Sequence, residues 1–192
     1  MLTSPLIPSC RPLLVCLAAL LLCLPPRVGW AGEREAWRAY AGLTLFPSVL
    51  AADRDIAGKQ TPSGRLRLLI VFREQRGRAE ELADRLRSVS TIAGIPLQVE
   101  VSQAAGRFQP TSGPVAGLYL AEPLGRDREP VLRYGRRRHA IVFSPFPGDV
   151  AAGVPAGLLI SDRILPYLNP EALSDFGIRL KPFFLRVAAR YE

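Results

Sequence analysis

The sequence predicts an α/β fold, a mostly parallel sheet flanked by helices, with a C-terminal hairpin and helix. Short apolar stretches alternate with stretches whose apolar residues recur at helical spacing, which is the pattern of strand–helix–strand units. The first predicted strand is almost continuously apolar, as expected for a strand buried on both faces of a parallel sheet. Two closely spaced apolar stretches near the C-terminus, separated by residues 161–163, indicate a hairpin.

The predicted elements begin with a helix over residues 35–53, in which Pro47 predicts a kink or a break. The first strand covers residues 66–72, and an amphipathic helix over residues 77–90 follows it. After that helix, the sequence predicts further strands over residues 97–101, 115–121 and 140–143, with a short basic helix over residues 127–137 before the last of them.

The C-terminal part follows a different pattern. Residues 157–161 and 164–168 are the strands of the predicted hairpin. Asn169 and Pro170 are suited to open a short helix as N-cap and first helical residue, and Gly177 is suited to end it in the left-handed conformation. A closing helix is predicted over residues 180–191, and its buried face comprises Phe183, Phe184, Val187 and Ala188.

Residues 1–31 have the pattern of a cleaved export signal. The apolar run over residues 13–24 is shorter than the roughly 20 residues that a membrane-spanning helix needs, and two prolines follow it. Gly29, Trp30 and Ala31 form a small-x-small cleavage pattern, so we expect cleavage after Ala31. The predicted mature protein is a single domain of residues 32–192 outside the cytoplasm; an uncleaved anchor is the alternative.

Few residues could carry metal or catalytic chemistry. All three cysteines lie in the predicted signal, and His139 is the single histidine, which excludes a zinc site of several His or Cys ligands within one mature chain. His139, Ser144 and Asp149 could be read as a catalytic triad, but no nucleophile elbow accompanies them. We expect no enzymatic activity, no metal and no cofactor. The acidic pairs are expected on solvated helix ends or faces; they are Asp53 with Asp55 and Glu80 with Glu81.

The charge of the chain is strongly positive. The net charge of +8 falls by two, to +6, once Arg11 and Arg27 are removed with the signal, and arginine supplies nearly all of the positive charge. Arginine binds carboxylates and phosphates in a fork geometry, which favours acidic partner surfaces, anionic lipid headgroups or phosphorylated ligands. A general arginine bias of the genome is the alternative explanation. Nucleic acid is not an expected partner in this compartment.

Two features are candidate contact sites. The first is the basic run at the end of the 127–137 helix, and the second is the 144–150 loop, which follows a strand as ligand loops of open α/β sheets do. We expect Phe146 to be exposed, and Asp149 to cap backbone amides or to pair with an arginine such as Arg163. A solvated helix end and a rigid structural loop are the alternatives. The candidate contact residues are Arg136, Arg137, Arg138, Ser144, Phe146, Gly148 and Asp149.

The order of these segments resembles the YfiR-like (HmsC-like) periplasmic proteins. Residues 40–47, Tyr-Ala-Gly-Leu-Thr-Leu-Phe-Pro, are similar to the apolar opening helix of that family. Three C-terminal segments match the order of its hairpin, Gly-apolar-x-apolar segment and closing helix; they are residues 164–169, 177–180 and 184–188.

The resemblance implies a non-enzymatic periplasmic regulator. Such a protein binds an inner-membrane sensor protein, a diguanylate cyclase, and restrains it, so that its release raises cyclic-di-GMP and promotes biofilm. A periplasmic receptor for a small anion or an amino acid is the alternative function. The sequence leaves a homodimer open.

Overall fold

The computed structural model describes residues 29–106 and 108–192, and it confirms the predicted α/β fold. Contacts divide the chain into two units, residues 1–33 and residues 34–192. Of the first unit, residues 29–33 are described and are helical. Residues 1–28 of the predicted export signal lie outside the described residues, so the signal and its cleavage site stay predictions.

The elements have the following bounds. The helices are α1 Gly29–Ala51, α2 Arg76–Arg87, α3 Arg128–Arg138, α4 Pro170–Asp175 and α5 Pro182–Val187, with short 3-10 turns at Ile56–Lys59 and Gly125–Asp127. The strands are β1 Leu66–Phe72, β2 Thr91–Ile92, β3 Ile95–Gln103, β4 Gly117–Leu120, β5 Ile141–Ser144, β6 Ala156–Ile160, β7 Ile164–Leu168 and β8 Ala189–Arg190. Within the described ranges, no helix is both long enough and apolar enough to cross a membrane.

The strands form one eight-stranded sheet in the order β2-β3-β1-β4-β5-β6-β7-β8. The central strands, from β3 to β6, are parallel to one another, whereas β2 and β7 run antiparallel to β3 and β6. From β1 the chain passes to β3 on one side and then to β4 on the other. The direction of winding therefore reverses between β1 and β4, and ligands of open α/β sheets bind outside the carboxyl ends of strands at such a point.

Helix α1 packs on the centre of the sheet. The ring centroid of Phe46 lies 5.3 Å from the ring centroid of Tyr119 on β4 and 5.8 Å from that of Phe143 on β5. Gly117 makes this close approach possible, because a Cβ there would lie 2.8 Å from Phe46 and 2.7 Å from Leu50. Of the predicted kink or break at Pro47, the break does not occur, since the helix continues to Ala51 with buried residues on both sides of the proline.

The C-terminal hairpin is confirmed, and the closing helix is shorter than predicted. The hairpin strands β6 and β7 pair antiparallel around residues 161–163, and Asn169 accepts a hydrogen bond from the Ala172 amide as a helix cap does. Helix α5 begins at Pro182 and ends at Val187, because the backbone then becomes extended and adds β8 beside β7. Phe183 and Val187, predicted to be buried, are 55% and 60% exposed, whereas Phe184 is buried.

The segment after α1 and the segment before α5 are interlocked. The amide of Arg54 donates to the carbonyl of Arg179 (2.9 Å), and the amide of Lys181 donates to the carbonyl of Ala52 (2.9 Å). The guanidinium of Arg179 holds both carboxylate oxygens of Asp55 at 2.8 and 3.1 Å. The two ends of the 34–192 unit therefore fix each other through main-chain and side-chain bonds.

Candidate functional site

The 144–150 loop leaves the carboxyl end of β5 and folds back into the protein. The expectation that Phe146 is exposed is wrong: its side chain is 4% exposed and belongs to the hydrophobic core. Phe146 and Val150 line a small cavity together with residues of the β6–β7 hairpin, including Leu158 and Tyr167. Gly148 forms a sharp turn, with φ of +80°, and it is exposed together with Pro147.

The polar residues of this loop bond to one another. The hydroxyl of Ser144 donates to Oδ2 of Asp149 (2.5 Å) and accepts from the amide of Phe146 (3.3 Å). The other oxygen of Asp149 pairs with Arg128, at the start of α3. The predicted pairing of Asp149 with an arginine is therefore confirmed, but the partner is Arg128. Arg163 pairs with Asp162. Each of these groups is used to hold the loop in place.

Replacing Ser144 with alanine is expected to lower the free energy of unfolding by about 1 to 2 kcal/mol, because a buried hydrogen bond to a carboxylate is lost. Urea denaturation of the variant measures this loss. The matched control is Ser161→Ala, which removes an exposed hydroxyl bonded to Asp162 at 2.8 Å and should change stability little. Equal losses in the two variants would contradict a structural role for the buried serine.

The basic run lies at the opposite end of β5. Arg136 and Arg137 are exposed and Arg138 is half-buried, and β5 separates all three from the 144–150 loop. The guanidinium of Arg136 lies 5.3 Å from the ring of Phe176, and that of Arg138 lies 5.6 Å from the ring of Tyr134. The structure therefore does not join the two candidate contact sites into one, and it separates His139 from Ser144 and Asp149.

A cleft of about 420 Å³ opens beside Arg138. Its charged lining residues are Asp55, Lys59, Arg138 and Arg179, and His139 also lines it. The hydrogen bonds from Arg179 hold the pKa of Asp55 below its ordinary value. Lys59 and Arg179 are 120 positions apart in the sequence, so no local pattern predicts that they share a site.

His139 ends α3 and connects it to α4. Its backbone is left-handed, with φ of +51°, a conformation in which histidine is enriched among the residues other than glycine. Its ring Nδ1 lies 2.9 Å from the carbonyl oxygen of Phe176, so Nδ1 carries the proton and donates it. When the ring is neutral, Nε2 carries no proton and can only accept a hydrogen bond.

One member of the acidic pairs is not solvated as expected. Asp53 has 0% of its surface exposed, and its carboxylate pairs with Lys59 at 2.5 Å. The same ammonium group also donates to the carbonyl of His139. Asp53 and Lys59 thus tie the segment after α1 to the end of α3, beneath the cleft.

The crevice at the carboxyl ends of β1 and β4 is filled by Glu122. This buried side chain follows β4, and its Oε1 accepts backbone hydrogen bonds of 2.7 to 2.8 Å from Arg73, Glu74 and Gln75, which follow β1. Successive backbone amides of this kind form an anion-binding concavity. The protein's own carboxylate therefore occupies the position at which a doubly wound sheet would bind a ligand.

The fold and the site together define a doubly wound α/β domain whose switch-point crevice is closed by its own carboxylate. No family model matches the chain, and no curated protein matches it. Among solved structures, the chain is similar to an ABC domain in complex with L-Trp from Streptococcus pneumonia, with a TM-score of 0.48 and 10% sequence identity. That similarity covers 80% of this chain and 60% of the other, less than two thirds of its length.

Proposed function

We propose that this chain is a non-enzymatic, exported regulatory protein that acts by binding another protein. One observation carries the proposal, the exposed apolar surface of α5, which we call the α5 face: Phe183 and Val187 with the adjacent Arg186. Phe183 and Val187 are four residues apart and therefore lie on the same side of the helix. Both are more than half exposed.

The α5 face is suited to a protein partner. Phe184 and Leu185, on the same helix, pack against the core, so the helix is held while its outer side stays in water. Each square ångström of apolar surface removed from water contributes about 25 cal/mol, and a few aromatic or aliphatic anchors commonly dominate the energy of an interface. Burying Phe183 and Val187 against a partner would therefore provide binding energy without unfolding the helix.

The charges around the α5 face favour an acidic partner. Arg186 and Arg190 are exposed beside the apolar side chains, and the chain as a whole is strongly positive. Complementary charges accelerate association and select the partner. A partner with an apolar patch surrounded by carboxylates fits this surface, and the resemblance to YfiR-like proteins suggests the periplasmic region of a membrane-bound diguanylate cyclase. Four residues of the resembling 184–188 segment, residues 184–187, lie in α5.

Deleting the gene is expected to raise cyclic-di-GMP in the source organism, because the restraint on the cyclase is lost. Wild-type protein should restore the low level, and the Phe183→Ser/Val187→Ser double variant should not. The matched control is Trp37→Ser, which removes an aromatic residue that is 52% exposed on α1. Cyclic-di-GMP is measured by mass spectrometry, and immunoblots confirm equal amounts of each protein.

Unchanged cyclic-di-GMP after deletion, with the candidate cyclase expressed, would overturn the proposed function. Full activity of the double variant would exclude the α5 face as the contact surface. Light scattering adds a third outcome: if the wild-type protein is a dimer and the double variant a monomer, the α5 face binds a second copy of this chain instead of a sensor protein.

The alternative function is a periplasmic receptor for a small anion or an amino acid. The loop expected to hold its ligand, residues 144–150, is folded against the protein. The 144–150 loop is anchored by buried groups, and the switch-point crevice holds Glu122. The cleft at the amino ends of β4 and β5 is the observation that still favours a ligand.

A further inference from the structure

Two cavities adjoin each other at the surface beside α4. The first, the cationic cleft of about 420 Å³, contains Lys59, Arg138 and Arg179. The second, the apolar groove of about 440 Å³, is lined mainly by the apolar side chains Leu173, Ile178, Leu180 and Leu185. Gly177 and Arg179 line both cavities, so the two lie side by side.

The cationic cleft has one positive charge in excess. Asp53 neutralises Lys59 and Asp55 neutralises Arg179. Arg138 has no carboxylate partner among the residues that the structure describes; it contacts the carbonyl of Thr111 at 3.4 Å and the ring of Tyr134. Its guanidinium presents five N–H donors, and such a group binds a carboxylate or a phosphate in a fork geometry.

The apolar groove provides a surface of a different kind next to that charge. Pockets that bind small molecules combine a mostly apolar lining with a few placed polar groups. Here the placed charged group stands at one end, where the guanidinium of Arg138 lines the cationic cleft. A ligand that spans both cavities would therefore have a charged head and an apolar body.

Gly177 lies where the two cavities meet and lets the His139 ring pack closely against the backbone. Its φ is +65°, and a Cβ at this position would lie 2.9 Å from Nδ1 of His139. Any other residue would therefore be strained and would displace the imidazole that lines the cationic cleft.

We propose that the cationic cleft and the apolar groove together bind a small amphiphilic anion, with its carboxylate or phosphate monoester against Arg138 and its apolar body against Leu185. The site does not depend on the α5 face or on a protein partner. It assigns a ligand class to residues on three separate segments, namely the end of α3, the 177–180 segment and α5.

Isothermal titration calorimetry of the purified protein tests the site with octanoate, octyl phosphate, acetate, inorganic phosphate and octylamine. We expect octanoate or octyl phosphate to bind, depending on which headgroup fits better. Acetate, inorganic phosphate and octylamine should each bind at least about tenfold more weakly than that ligand. Arg138→Gln should lower the affinity for the eight-carbon anion at least about tenfold, since a charge-assisted hydrogen bond is lost. Arg137→Gln, at the exposed neighbouring arginine, is the matched control and should bind normally.

A second variant tests the apolar groove. Leu185→Asn should lower the affinity for octanoate until it approaches the affinity for acetate. Circular dichroism checks that the variant remains folded. The proposal is overturned if octylamine binds as tightly as octanoate, if acetate matches octanoate, or if no probe at about 1 mM produces heat or raises the melting temperature. Because these measurements use the protein alone, they are independent of the cyclic-di-GMP experiment.

Discussion

Replacing Glu122 with alanine is expected to lower the free energy of unfolding by on the order of 3 to 5 kcal/mol. Its carboxylate satisfies three consecutive backbone amides between β1 and α2, at 2.8, 2.7 and 2.7 Å. A hydrogen bond to a charged acceptor contributes about 1.5 to 3 kcal/mol, and the three amides lose their bonds together. Urea denaturation followed by far-ultraviolet circular dichroism measures the loss.

Two comparisons make this prediction specific. Glu122→Gln keeps an acceptor oxygen and should lose only about 1 to 2 kcal/mol, the difference between charged and neutral acceptors. Added acetate should restore part of the stability in the alanine variant alone, because the freed amides form an anion-binding concavity. If the alanine variant unfolds at the wild-type urea concentration, or acetate stabilises both proteins equally, the carboxylate does not have this role.

Replacing Lys59 with methionine is expected to destabilise the protein by about 3 to 5 kcal/mol, because it leaves a buried carboxylate without its counter-charge. Asp53 has 0% of its surface exposed, and the Lys59 side chain is 11% exposed. The variant also loses the hydrogen bond to the carbonyl of His139, which connects the end of α3 to the segment after α1. Thermal and urea unfolding both report the change.

The controls separate a buried charge from general damage. Asp53→Asn combined with Lys59→Met removes both charges and should recover part of the loss, since the penalty arises from an unpaired ion. Arg179→Met removes the partner of the exposed Asp55 and should have a far smaller effect, because water screens that pair. A double variant as unstable as Lys59→Met would mean that the lysine acts through its other contacts.

The sequence predicted the elements whose cause is local. β1 is buried on both faces because its own residues are apolar, and the Asn169 side chain caps α4 in the way that an Asn–Pro pair allows. The hairpin required only two apolar stretches and a short polar turn. In each case the pattern of neighbouring residues specifies the structure, so no knowledge of distant contacts was needed.

The sequence failed where burial depends on distant partners. Phe146 stands among turn-forming residues, which indicates a surface loop, but in the fold its side chain belongs to the hydrophobic core. The 180–191 helix was predicted from an apolar pattern that continues past Val187, but pairing with β7 converts its end to a strand.

The candidate site was also divided by the fold. The basic run and the 144–150 loop are close in sequence, yet the intervening strand places them at opposite ends of the sheet. Glu122 left a weak signal, a single acidic residue directly after an apolar strand. Its three amide partners lie 47 to 49 residues earlier in the chain, and neither periodicity nor local turn chemistry connects them to it.

The bonds that interlock the segment after α1 with the segment before α5 also bear on how the chain reaches its native state. They join residues 124 and 130 positions apart, for example Arg179 with Asp55 and Lys181 with Ala51. Contacts of such high sequence separation slow folding, because the entropy of closing the intervening loop is lost before the contacts form. The carbonyl of Ala52 and the amide of Arg54 have no backbone partner until residues 179–181 reach them. We therefore expect these contacts to form late in folding, after the central parallel strands have paired.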